Sequence, residues 1–272
     1  MARLQQFGPL IYTLIGLAVF FAVFFTLAAL GWPGGSDSCF VGGIDICFCE
    51  RIFPGLVKQP WNTWTNLGFI TVGLMILLFV SLDREPDSRP LYANPMTLGG
   101  FYPVLFGVIV VFMGPGSMFF HGSMTDWGGF LDFFSIMLFA GFAGLYNISR
   151  MWLWASSIPV FLAIFLGSMA LLAVLYLALP LDSIVYYLIT AGIAIVTEVF
   201  TWTPWNRVKR NVWGSVAFLA LFAIALVIWQ LSKTDGPLCR PQGFQGHGIW
   251  HLTVAMGIAA FYMSLRTERE DS

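Results

Sequence analysis

The sequence is poor in charge. Asp, Glu, Lys and Arg make up 10 % of its 272 residues and the formal net charge is −1. The mean hydropathy is +0.81. A soluble domain of this length is excluded, because a surface in water needs far more charged residues than that. No basic tract is present, which removes the electrostatic footprint of a nucleic-acid binder. No protein partner is signalled, the oligomeric state is left open, and there is no strong internal repeat or low-complexity segment. Histidine and cysteine are scarce too, at three and four residues. With so few of each, their positions carry information.

What the chain has is apolar runs, each long enough to cross a bilayer core, from end to end. Eight spans are predicted, at 8–31, 61–82, 98–122, 127–149, 153–179, 183–205, 211–232 and 246–265. The expected fold class is all-α: a polytopic transmembrane helix bundle with a seven-helix core and one extra N-terminal helix. Residues 1–32 form a signal-anchor-like helix, 33–60 an outer loop with cysteines, and 61–272 the seven-helix domain. The first apolar run is too long for a signal peptide, and Arg3 is its only basic residue. With the N-terminus inside, the inner loops and tails carry Arg3, Arg84, Arg89, Arg150, Arg207, Lys209, Arg210, Arg266 and Arg269. The outer loops carry only Arg51, Lys58, Lys233 and Arg240. The basic excess places both termini in the cytoplasm. This orientation puts Cys39, Cys47 and Cys49 in the first outer loop and Cys239 in the last, all on the side where disulfides persist. Cys47 and Cys49 are too close to pair with each other. One of them is expected to bridge to Cys239, and the other to Cys39.

The third span ends in "GPGSMFFHGSM", which contains Ser117 and, one turn later, His121. The last span opens on "GHGIWH", which contains His247 and His251. The two spans run in opposite directions, so every histidine lies at one membrane depth, near the outer side. A lone H-x-x-x-H is more often an interfacial pair than a metal site. Three imidazoles at one depth on two helices are a usual ligand set for a catalytic zinc, which keeps a fourth position for water. Haem fits poorly, since axial histidines face each other across a ring. Asp132 falls about two turns into the fourth span, at a depth where a carboxylate needs a partner or a task. A neighbouring metal site would supply the task. Asp126, nearer the surface, reads as a helix N-cap. Glu198 is also within a span, nearer the inner half, where it would line a cavity or take a hydrogen bond from another helix. Asn62 and Asn66 share one face at the outer end of the second span and would tie the loop to the bundle or shape the site. Asn147 and Arg150 sit at an inner helix end where solvation is cheap. The last-span pair lacks the Glu of H-E-x-x-H. Ser117 lacks a Ser–His–Asp order, so a supporting role suits it better than that of a nucleophile.

Several of these segments together resemble the alkaline ceramidases. "GSMFFHGSMTDWGGFLD" resembles their G-S-x-x-x-H…D segment, and "HGIWH" their H-x-x-x-H in the final helix. "CERIFPGLVKQPWNTWTNL" resembles their Cys-Glu segment followed by N-T-x-S-N. The resemblance runs over about residues 47–265 in the same order. The wider superfamily also contains the adiponectin and progestin receptors. Carried over, the resemblance implies that His121, His247 and His251 hold zinc. Asp132 would be the carboxylate beside the metal and Ser117 the serine beside the site. It also implies that Cys49, rather than Cys47, is tied to Cys239. At the family's calcium site the chain departs. Glu50 matches one acidic ligand, but Ile52 stands where an Asn is expected and Gln59 where a Glu is expected. Calcium prefers several anionic oxygens, so it is poorly supplied here unless Asp45 compensates.

The function these residues imply is that of a zinc-dependent amidohydrolase with a membrane lipid as substrate. It would cleave ceramide-like N-acyl lipids to a fatty acid and an amino alcohol. Asp132 would act as base and then acid, and Ser117 would stabilise the oxyanion. The alternative is a seven-helix receptor with a structural zinc. Short tails and an outward-opening site favour the enzyme.

Overall fold

A backbone that crosses a bilayer must satisfy its own hydrogen bonds, and a helix does so within one segment. The computed structural model describes residues 6–34, 40–41, 44–45, 48–83, 94–97, 100–152, 157–179, 181, 183–203, 206, 208–234 and 236–270. Cys39, Cys47 and the side chain of Asp45 lie outside that description. The helices in chain order are α1 (Gly8–Ala29), α2 (Pro60–Trp64), α3 (Leu67–Leu82), α4 (Phe101–Ser123), α5 (Asp126–Trp152), α6 (Ile158–Ala178), α7 (Ser183–Thr201), α8 (Trp213–Leu231) and α9 (Gly246–Leu265). Counting α2 and α3 as one interrupted span, seven helical segments among the described residues are long and apolar enough to cross a membrane. Val185–Thr201 within α7 is a shorter apolar helix. The protein is a multi-pass, all-α membrane bundle. Its only described strands are two short antiparallel pairs. In one, β1 (Phe40–Val41) pairs with β2 (Ile44–Asp45); in the other, β3 (Val208–Lys209) pairs with β4 (Arg269–Glu270).

Lipid tails are as apolar as leucine, so close packing has to hold the helices together. At the α3–α4 crossing, a Cβ on Gly73 would lie 2.5 Å from the Val111 side chain and 2.8 Å from the Gly107 carbonyl. Only glycine allows that approach. Between α4, α5, α6 and α9 the core is aromatic, built on Phe106, Phe142, Tyr146, Phe161, Phe261 and Tyr262. The extra helix α1 packs on α3 and α4, with Phe24 fully buried. The Phe24 ring lies where a Cβ on Gly122 would be, 2.7 Å away. Much of the rest of α1 is exposed apolar surface.

Within the second span a turn at Thr65–Asn66 separates α2 from α3. Two local expectations are corrected. Asp126 is not a cap. It is the first residue of α5 and exposed, while the Thr125 hydroxyl accepts the Gly128 amide at 3.1 Å. Asn147 and Arg150 are not solvated; both are buried in a polar cluster at the end of the bundle away from the histidines. There Arg150 pairs with Glu268 at 2.5 Å, and Arg210 bridges Glu198 at 3.1 Å and Glu268 at 3.3 Å. Asn147 donates to Glu198 at 3.0 Å and accepts from Arg210 at 3.0 Å. The β3–β4 pair, next to Arg210 and Glu268, holds the two sides of the cluster together.

Candidate metal centre and active site

Near its C-terminal end, α4 presents Ser117 and His121 one turn apart. The first turns of α9 present His247 and His251 with the same spacing. All four side chains are buried. One nitrogen from each histidine falls within 4.8 Å of the others. His121 Nε2 and His247 Nε2 lie 3.1 Å apart. His121 Nδ1 is 2.7 Å from Gln59 Oε1, and His251 Nδ1 is 2.9 Å from Thr65 Oγ1. The buried His247 Nδ1 has no hydrogen-bond partner. Three converging imidazole nitrogens with no acid among them form a donor set that fits a transition-metal ion such as zinc.

The histidines stand at one end of a cavity of about 390 Å³. Ser117, Asp132, His247 and His251 line it, and so does Glu198 at the far end. His121 is not among its lining residues. Most of the wall is apolar and aromatic, including Phe133, Tyr176, Phe222 and Trp250. Helices α7 and α8 both contribute to the wall, yet they are not closely packed on each other. The Ser117 hydroxyl neighbours the Asp132 carboxyl but is buried without a hydrogen bond of good geometry. The Glu198 carboxylate is already held by Asn147, Arg210 and Trp202.

The loop before α2 closes over the histidines. Cys49 and Cys239 form a disulfide across 190 residues of sequence. The neighbouring Phe48 packs its ring 4.0 Å from that of His247 and 4.8 Å from that of His121, centroid to centroid. Phe48 also bridges by its backbone to Lys233. Glu50 uses both carboxylate oxygens, accepting the Trp61 amide at 2.7 Å and the Asn62 amide at 2.8 Å. These are the free amides at the start of α2. Burial pushes the Glu50 carboxyl above its ordinary range, and the two amide bonds pull against that shift. At the positions compared with the family's calcium site, the side chains are otherwise engaged or lack oxygen. Glu50 is committed to backbone amides, Ile52 offers no side-chain oxygen, and the Gln59 oxygen faces His121. Asn62 and Asn66 are buried and tie α2 together, Asn62 bonding Gln59 at 3.3 Å and Asn66 bonding the Asn62 carbonyl at 2.7 Å.

Sequence reasoning did not assign roles to Phe48 or Thr65, and it noted Gln59 only as a departure from a calcium ligand. The usable signal was a run of amide and hydroxyl side chains, "QPWNTWTN", at the mouth of a span. Comparison with known proteins bears on the same region. The profile of the family described as Ceramidase matches residues 44–270. Alkaline ceramidase 1 from Homo sapiens is 25 % identical over 231 residues, covering 78 % of this chain and 77 % of the human protein.

Proposed function

Because the chain belongs to the ceramidase family, we propose that it is a zinc-dependent membrane hydrolase. It cleaves the amide bond of ceramide-like N-acyl lipids to a fatty acid and an amino alcohol. The observation that carries this reading is the three-histidine cluster, with Ser117 and Asp132, at one end of an apolar cavity. His121, His247 and His251 would hold the metal. A zinc ion bound there supplies Lewis acidity and lowers the pKa of a water molecule towards neutrality. Asp132 accepts a proton from the attacking water and delivers it to the departing nitrogen. The Ser117 hydroxyl donates to the carbonyl oxygen as negative charge develops on it. The lipid chain lies among the aromatic walls, and Phe48 helps to keep bulk water out.

In this reading the basic residues place both termini in the cytoplasm and the zinc site towards the outer side. The Cys49–Cys239 bridge then sits in an oxidising compartment. Helix α1 is a signal-anchor-like addition to a seven-helix catalytic domain. The test is turnover by purified protein in nanodiscs, with N-acyl sphingoid bases, other N-acyl lipids and matched esters as substrates. Amide cleavage that is lost on zinc removal, restored by zinc and absent in His251→Ala is the expected result. Tight lipid binding with no release of fatty acid from any of them would favour a receptor and overturn the proposal.

A further inference from the structure

Gln59 immediately precedes the short helix α2 and Thr65 immediately follows it, and each touches a different histidine. Gln59 is fully buried. Its Nε2 donates to the Glu50 carbonyl at 3.1 Å, and a carbonyl can only accept. The amide is therefore not free to flip, and Oε1 must be the atom 2.7 Å from His121 Nδ1. That oxygen cannot donate, so Nδ1 carries the ring proton and Nε2 keeps the lone pair. The backbone repeats the attachment: the Gln59 amide donates to the His121 carbonyl at 3.0 Å, and the Lys58 amide to the Gly122 carbonyl at 2.9 Å.

At the other end of α2, Thr65 Oγ1 lies 2.9 Å from the Trp61 carbonyl and 3.2 Å from the Asn62 carbonyl. The single hydroxyl hydrogen goes to these acceptors, as it commonly does one turn back along a helix. The hydroxyl oxygen then accepts from His251 Nδ1 at 2.9 Å. His251 too keeps its lone pair on Nε2. Neither Gln59 nor Thr65 lines the cavity, so neither meets a lipid there. Helix α2 is itself held by the Glu50 carboxylate on its first amides, next to the Cys49–Cys239 bridge.

We infer that Gln59 and Thr65 are positioning residues that fix His121 and His251 as Nδ1–H tautomers and aim both Nε2 atoms at one ion. The inference rests on the metal reading above. It gives the buried amide of Gln59 a role that needs no second cation, since a neutral oxygen at 2.7 Å orients the ring by itself.

The experiment measures zinc affinity by chelator competition and the visible spectrum of the cobalt-loaded protein. It compares wild type with Gln59→Leu, Gln59→Glu, Thr65→Val and Thr65→Ser. Loss of such an outer partner typically lowers metal affinity ~10–100-fold, and the Leu and Val variants should show that loss with an altered cobalt spectrum. The Glu and Ser variants each keep an acceptor for Nδ1–H and should stay close to wild type. If Gln59→Leu fails to fold, the near-isosteric Thr65→Val against Thr65→Ser decides the matter. Equal zinc affinity in those two would overturn the inference. A wild-type protein that binds neither zinc nor cobalt would overturn the metal reading instead.

Discussion

Single residues divide the chemistry sharply. Asp132 lies in the cavity wall and outside the three-nitrogen cluster, so its proposed task is proton transfer and not ligation. Asp132→Asn is expected to keep full zinc content while its turnover falls by ~10²–10⁴-fold, the usual range for a general base. Elemental analysis beside a single-turnover assay checks both halves. Near wild-type turnover would move the base elsewhere. Glu198 is a poor substitute, since three donors already hold it at the opposite end of the cavity. The histidines, Ser117 and Asp132 could be singled out from sequence because polar residues are rare in apolar spans and stand out by depth. Phe48 could not, because one phenylalanine among 27 carries no distinguishing signal.

At the scale of elements, α2 depends on a carboxylate brought from outside the helix. Glu50 takes the place of a capping side chain, and α2 has no side-chain cap of its own. Burial raises the Glu50 carboxyl above its ordinary value of 4.5. The folded state therefore binds this proton more tightly than the unfolded state does. Its contribution to stability is full below 4.5 and declines as pH rises from there through the folded value. Glu50→Gln lacks that titration. Thermal unfolding of both proteins in one detergent should show wild type losing ground to the variant as pH rises across this window. A gap that stays constant with pH would refute it. The spans themselves were readable to within a few residues, because length and hydropathy are local properties. The break at Thr65–Asn66 was not, since the Thr65 hydroxyl at the end of α2 meets His251 from a distant segment.

Across the whole molecule, two polar clusters stand at opposite ends of an apolar bundle, one at the histidines and one at Glu198, Arg210 and Glu268. Arg210→Ala would leave Glu198 and Glu268 buried with part of their charge uncompensated. Breaking a buried network in this way costs about 3–5 kcal/mol. A markedly lower melting temperature with unchanged zinc content is the expected result, and an unchanged melting temperature would show that the network carries no stability. By itself, the sequence determined that the chain lives in a membrane, because 58 % hydrophobic residues with 10 % charge cannot cover a soluble surface. It also determined that all three histidines share one depth, since depth follows from position along a span. Which cysteine met Cys239 was open between Cys47 and Cys49 on the residues alone; family resemblance pointed to Cys49, and the structure has that pair bonded. Only the tertiary structure decided that Gln59 and Thr65 face two different histidines and that Arg150 is buried against Glu268. Those pairings depend on how each helix is rotated about its axis and how each loop returns. A helix such as α9, apolar nearly all round, has no periodic face from which that rotation could be read.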